Sequence, residues 1–186
     1  MTRIQFTGYD KATGRLREIY DELIKKRGKL ADIHQIQSLR PESIVKHMDL
    51  YMEIMYSRSE LSRSEREMMA VVVSVANGCN YCQAHHEVAL RHYVKNENTF
   101  NMIINPDQFN KLSARNFALC RFARLLTLNP HDHENTDYIA QLRKSGLSDY
   151  AILDTVMVVA YFNFVNRIVL ALGVEVNADE VSGYKY

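Results

Sequence analysis

The sequence predicts an all-α protein. Only seven glycines and three prolines interrupt 186 residues, long stretches repeat apolar residues at helical spacing, and the breakers fall between those stretches. Helices are expected at about 10–27, 41–57, 64–77, 80–94, 113–127, 135–144 and 148–172. In the first, Leu16, Ile19, Tyr20, Leu23 and Ile24 form one apolar face, and Gly28 ends it. Pro41 fits the first turn of the second, where its missing N–H costs nothing. Ser62 or Ser64 starts the third, at capping-box spacing from Glu65 or Glu67. Asn77-Gly78 breaks the chain before the fourth helix.

The stretch from Lys95 to Phe109, with Asn105-Pro106-Asp107, reads as a loop with at most one short helix. It follows the fourth helix directly, so it is either a lid (residues 95–110) or an ordinary exposed connection. In the fifth helix Cys120 sits among Phe117, Ala118, Phe122 and Leu125 and reads as core, and Asn129-Pro130 ends that helix. His131-Asp132-His133-Glu134 has the residue types of a metal cluster but reads as a solvated turn. The last helix holds Thr155 to Phe162, apolar on every face yet bounded by Asp154, Asn163, Asn166 and Arg167. Such a run falls far short of the ~20 residues that span a bilayer, so a buried helix is expected. Covering all its faces is easier with a second subunit, which makes Tyr161, Phe162 and Phe164 interface candidates, and Met68 through Ala76 by the same logic.

With no repeat, linker or low-complexity segment, the chain is read as one domain over 1–186, with a motif core at about 41–127. Twenty-three basic and 22 acidic residues leave a net charge of +1. Bulk charge therefore recruits neither nucleic acid nor an anionic membrane. The first ten residues lack the apolar core and cleavage site of a signal peptide, which argues for the cytoplasm. An odd count of three cysteines fits a reducing compartment.

The chemistry concentrates between Glu67 and His86. Cys79 and Cys82 follow the Asn77-Gly78 break, so they fall on the first turn of a new helix, where free N–H groups and the macrodipole favour a thiolate. At 100° per residue Cys79, Cys82 and His86 share a stripe that continues through Ala89, Leu90 and Tyr93. Two cysteines so placed can cycle between dithiol and disulfide with little backbone movement. If the flanking helices are antiparallel, Glu67 and His86 differ by only about 4.5 Å along the axis at ~1.5 Å per residue. The inferred order is Cys82 as nucleophile, His86 as base and Glu67 as the group that orients the base. Electrostatics alone leaves the nucleophile open, since Cys79 gains more from the helix end and Cys82 has the closer histidine. Glu67, Val71, Ser74 and Gly78 form a small-or-polar stripe that suits a site wall.

Competing readings are weaker. Buried cysteines can be merely structural. Zinc on Cys79, Cys82, His86 and either His85 or His92 lacks the usual distant second ligand pair. A c-type haem requires His directly after the second Cys, and Gln83 stands there. No metal and no cofactor are therefore expected.

At Glu67, Cys79, Cys82 and His86 the chain resembles the alkylhydroperoxidase AhpD-like group of the carboxymuconolactone decarboxylase superfamily, in particular its peroxidase-related branch. The shared pattern is Glu, eleven residues, Cys-x-x-Cys, three residues, His. Similarity in character extends through the segment leading to Glu67, Ala151-Ile152-Leu153-Asp154 and Ala160 to Asn166. The resemblance implies an all-helical AhpD-like bundle, homo-oligomeric, with antioxidant peroxidase or peroxiredoxin activity. It casts Cys82 as the peroxidatic thiol and Cys79 as the resolving one. The substrate would be hydrogen peroxide or an organic hydroperoxide, and the reductant a lipoamide-like or thioredoxin-like dithiol. Studied members carry a second histidine just before the second cysteine, where this chain has Tyr81; Tyr81 and His85 are accessory candidates. The alternatives are a disulfide-shuttling adaptor without peroxidase turnover and a stress-associated oligomeric binding module. Lactone decarboxylation, which names the superfamily, needs no dithiol.

Overall fold

The computed structural model describes residues 2–132, 137–181, 183 and 184, and every regular element among them is helical. The longer helices are α1 (Gly14–Arg27), α3 (Pro41–Tyr56), α4 (Arg63–Ala76), α5 (Asn80–Tyr93), α6 (Glu97–Ile104), α7 (Ala114–Leu128), α8 (Tyr138–Lys144) and α9 (Asp149–Leu172). Two four-residue helices, α2 (Asp32–Gln35) and α10 (Ala178–Val181), were not expected from the sequence. Neither is long enough to show a helical period. Residues 135 and 136, placed in the sixth expected helix, lie outside the described residues.

Helix α4 is the axis of the molecule. Ser62 and Glu65 form a capping box at its start, leaving Glu67 outside the cap and inside the helix. Arg66 through Ser74 are buried without a break, and α3, α5, α6, α7 and α9 all pack on it. Two arginines of its first turn tie it to the end of α3. Arg66 donates to the carbonyls of Ile54 (3.0 Å) and Ser57 (2.9 Å), and Arg63 to that of Met55 (2.8 Å). These cations meet the carbonyl end of the α3 dipole, where positive charge is stabilising. Gly78, at φ 64°, then turns the chain so that α5 runs back against α4.

Three expectations are corrected here. Residues 95–110 are neither an open loop nor a lid: they form α6 and a 3-10 helix over Pro106–Lys111, with Phe100, Ile103 and Phe109 buried in the core. The Asn-Pro-Asp sequence that suggested a loop caps the 3-10 turn, Asn105 accepting from the Asp107 N–H. Second, the apolar run of the last helix lies inside a 24-residue helix that is long and apolar enough, by length and composition, to cross a membrane. Its buried stripe, from Ala151 through Tyr161, Phe162 and Val169, packs on α3, α4, α5, α7 and α8. Third, Tyr161 and Phe162 are buried within this chain, as are Met68 through Ser74, so of the aromatic interface candidates only Phe164, 49% exposed, faces outward. Cys120 is core as expected, and burial pushes its thiol pKa up.

A smaller cluster joins α1 to α3 through Ile19, Tyr20, Leu23 and Ile44. It holds α1 beside the cavity described below, to which Leu23 and Arg27 contribute.

If α6 is core and not a lid, Phe100→Ala should destabilise the fold by about 3–5 kcal/mol through lost burial and a residual cavity. The Arg91 guanidinium, 3.6 Å from the ring centroid, also loses its partner. Urea unfolding measures this; a change under 1 kcal/mol would restore the exposed-loop reading.

Candidate active site

Cys79 is the N-cap of α5 and Cys82 lies in its first turn, so the dithiol occupies the helix start as the spacing required. Both thiols are free and buried, Cys79 completely and Cys82 to 2% exposure. Only Cys82 reaches the wall of a cavity of about 110 Å³, shared with Glu67, His86, His85, Tyr81, Tyr161, Phe162, His47 and Arg27. Cys79 sits behind it.

The relay residues are placed as the antiparallel hairpin demanded. Glu67 Oε2 lies 2.7 Å from His86 Nδ1, and Glu67 Oε1 accepts from Arg63 Nη2 at 2.5 Å. Glu67 is fully buried. Burial alone would raise its pKa, but His86 and Arg63 outweigh that and hold it below the ordinary value. A carboxylate at Nδ1 requires the proton there, which leaves the Nε2 edge of His86 for the cavity. The His86 ring is held edge-to-face on Phe162, with centroids 4.5 Å apart. His86 and Cys82 share the cavity without a direct hydrogen bond, so any proton transfer between them passes through a ligand or water. Arg63 was missed from the sequence, although its i,i+4 spacing to Glu67 was visible. Val71 and Ser74, from the expected site wall, are buried in the core and only Glu67 of that stripe reaches the cavity.

The expectation of a lowered Cys82 pKa is corrected. The two thiols hydrogen-bond to each other, which favours one thiolate and opposes the second: Cys79 is lowered by the bond from Cys82, while Cys82 is raised by that bond and by burial. Between the two sulfurs, the helix cap and this contact favour charge on Cys79 over Cys82.

Tyr81 and His85 belong to a second set of contacts that involves the C-terminal segment. Tyr81 donates to Glu180 Oε1 at 2.5 Å and accepts from the Ile33 N–H at 3.3 Å. The Asp32 N–H donates to the same Oε1 at 2.7 Å. His85 Nε2 lies 3.5 Å from that oxygen, and its ring lies over Tyr81 with centroids 4.5 Å apart. Burial raises the Glu180 pKa to about 7 and lowers that of His85 to about 4. Glu180 had no signal in the sequence, being 98 positions from Cys82 in a four-residue helix. The zinc alternative finds no ligand set, since among the described residues no three His, Cys, Asp or Glu side chains converge on one point. Of the His131-Asp-His-Glu turn, His133 and Glu134 lie outside the described residues.

This helical architecture, with a dithiol at a helix start and a buried Glu-His pair beside it, is an AhpD-like fold. Residues 45–124 match the model of the carboxymuconolactone decarboxylase family. It superposes on an uncharacterized peroxidase-related protein from Silicibacter sp. TM1040 with a TM-score of 0.84, at 26% identity over 99% of this chain and 96% of the other. A second similar structure is the alkylhydroperoxidase AhpD core of an uncharacterized peroxidase-related protein from Ralstonia eutropha JMP134: TM-score 0.82, 24% identity, 97% and 94% covered. A third is the debrominase Bmp8, with TM-score 0.79, 19% identity, and 98% and 99% covered. No curated protein matches the sequence.

The Glu180 carboxyl gives a pH signature. Its folded pKa of about 7 lies above the ordinary 4.5, so its contribution to stability is full below pH 4.5 and is lost as pH rises through 7. Glu180→Gln keeps an acceptor for Tyr81 and Asp32 but cannot ionise. Thermal melts should show the variant gaining on the parent between pH 5 and 8; a constant difference would place the charge of Glu180 in water.

Proposed function

We propose that the protein is a dithiol peroxidase that reduces hydrogen peroxide or organic hydroperoxides through Cys79 and Cys82. One observation carries the reading: Cys82 alone of the pair opens onto the cavity, beside the Glu67–His86 pair, while Cys79 lies directly behind it. His86 Nε2 takes the Cys82 proton through a bridging water, and the Cys82 thiolate attacks the peroxide. An S–O bond forms, the O–O bond breaks, and the released alkoxide or hydroxide leaves as alcohol or water after taking a proton delivered by His86. Cys79 then attacks the Cys82 sulfenic acid, closing the disulfide and releasing water. A small dithiol, lipoamide-like or thioredoxin-like, returns two electrons by exchange. Glu67 keeps His86 oriented throughout, and no cofactor enters the cycle.

The aromatic wall formed by Tyr51, Tyr81, Tyr161 and Phe162 supports a second reading, in which the acceptor is a halogenated aromatic ring. The same dithiol would supply two electrons and a proton to replace halogen by hydrogen, releasing halide. Bmp8, a debrominase of this fold, supports including such a compound beside the peroxides in the assay.

Cys82→Ser should abolish peroxide consumption, whereas Cys79→Ser should undergo one oxidation and stall as sulfenic acid. Mass spectrometry after one equivalent of peroxide reads both. A sulfenic acid on Cys79 in the Cys82→Ser protein, formed at the parental rate, would reverse the assignment. We also propose a homo-oligomer, on the strength of the outward residues Tyr150, Leu153, Phe164 and Leu170 along α9. Burying them stabilises association by about 25 cal/mol per Å² of apolar area, less the cost of association. Sedimentation at micromolar concentration should show a species larger than 21.6 kDa; a folded monomer would reject it.

A further inference from the structure

Across the cavity from the Glu67–His86 pair lies a second chain of hydrogen bonds. Gln37 donates from Nε2 to the Ile33 carbonyl at 2.7 Å and approaches His47 Nδ1 with the same nitrogen at 2.9 Å. The Ile33 carbonyl fixes which end of the amide is NH₂, because a flipped amide would set two acceptor oxygens together. The other Gln37 N–H then points to Nδ1, and the contact of Oε1 with that nitrogen is longer, 3.3 Å. His47 Nδ1 is therefore an acceptor. Burial pushes the His47 pKa down to about 4, so at neutral pH the ring carries one proton, and it sits on Nε2. Nε2 lies 2.7 Å from the Tyr161 hydroxyl and donates to it.

The consequence falls on Tyr161. With its oxygen accepting from His47, its own O–H must donate elsewhere, and no acceptor among the described residues takes it. The side chain lines the cavity beside Cys82, close enough for a Cys82 thiolate to raise the Tyr161 pKa. Yet the two make no direct hydrogen bond. A donor aimed into a cavity, near a nucleophilic sulfur but not bonded to it, leaves a place for an oxygen atom between them.

We propose that Tyr161 is a catalytic hydrogen-bond donor to the peroxide oxygen displaced by Cys82, with His47 and Gln37 as positioning residues that aim its hydroxyl. This deepens the peroxidase reading and rests on it. As the O–O bond breaks, negative charge gathers on the leaving oxygen, and Tyr161 stabilises it while His86 delivers the proton. Tyr161 stays neutral, since burial and its neighbours raise its pKa well above the ordinary value. Its hydrogen bond therefore persists across the range in which the thiols titrate.

The test compares two reagents that consume the same sulfur on the pre-reduced full-length protein. Hydrogen peroxide and tert-butyl hydroperoxide release an oxygen that needs a donor; iodoacetamide releases iodide and does not. Tyr161→Phe keeps the ring that packs on Phe162 and His47. It should lower the peroxide rate constant by on the order of 10- to 100-fold while leaving the alkylation rate within about twofold of the parent from pH 6 to 9. His47→Phe, which removes the aim but not the donor, should lower the peroxide rate by a smaller factor. A parental peroxide rate in Tyr161→Phe overturns the proposal. Equal losses with both reagents also overturn it, because Tyr161 would then act on the thiol or the packing. A parent that is alkylated but consumes neither peroxide removes the peroxidase reading itself.

Discussion

The buried Glu67 carboxylate is the interaction on which the rest of this structure depends. A charge that has lost all contact with water is tolerated only when it is paired and hydrogen-bonded, and Glu67 is held by Arg63 on one oxygen and His86 on the other. Leaving it unpaired would cost on the order of 3–5 kcal/mol, a large part of a domain's total stability. Arg63 is itself committed to the end of α3 through the Met55 carbonyl. One carboxylate thus fixes the register of α3, α4 and α5 together, and the position of the dithiol is a consequence of that register.

Around this centre much of the cavity wall is built from groups that burial keeps neutral. His34, His47 and His85 are all shifted below the physiological range, to between about 3 and 4, chiefly by desolvation. The phenols of Tyr51, Tyr81 and Tyr161 are raised by the same cause. These neutral donors and acceptors share the wall with two cations, Arg27 and Lys29. They also give fixed dipoles that need no reorganisation when charge develops, the property that makes such walls effective in catalysis. The thiol pair follows the same economy, since the contact between the two sulfurs favours ionising one and opposes ionising both.

Two chain segments far from the motif complete the enclosure. Residues 31–36 and the C-terminal α10 meet over α5, through the Asp32 N–H and Tyr81 hydroxyl on Glu180. Tyr81 stands where the AhpD resemblance implies a histidine, and its hydroxyl is occupied in holding the Glu180 side-chain carboxyl. Tyr81 therefore joins the enclosure of the cavity, which it lines while its hydroxyl holds Glu180.

The sequence by itself determined the helices, the hairpin and the core of the relay. Capping residues, Gly78 and the apolar period are local signals, and the eleven-residue and three-residue spacings around the cysteines are enough to place Glu67 against His86 once two helices run antiparallel. Arg63, four residues before Glu67, was legible by the same rule. What only the tertiary structure decided lies in contacts between distant segments: Glu180 on Tyr81, Gln37 and His47 on Tyr161, the burial of α6, and the single cysteine that faces the cavity. Helical periodicity shows that a face is apolar but not what covers it, so Tyr161 and Phe162 read as a subunit contact when they are the cavity wall. The ionisation of the dithiol was hidden for the same reason, because it depends on which sulfur donates to the other and on how deeply each is buried.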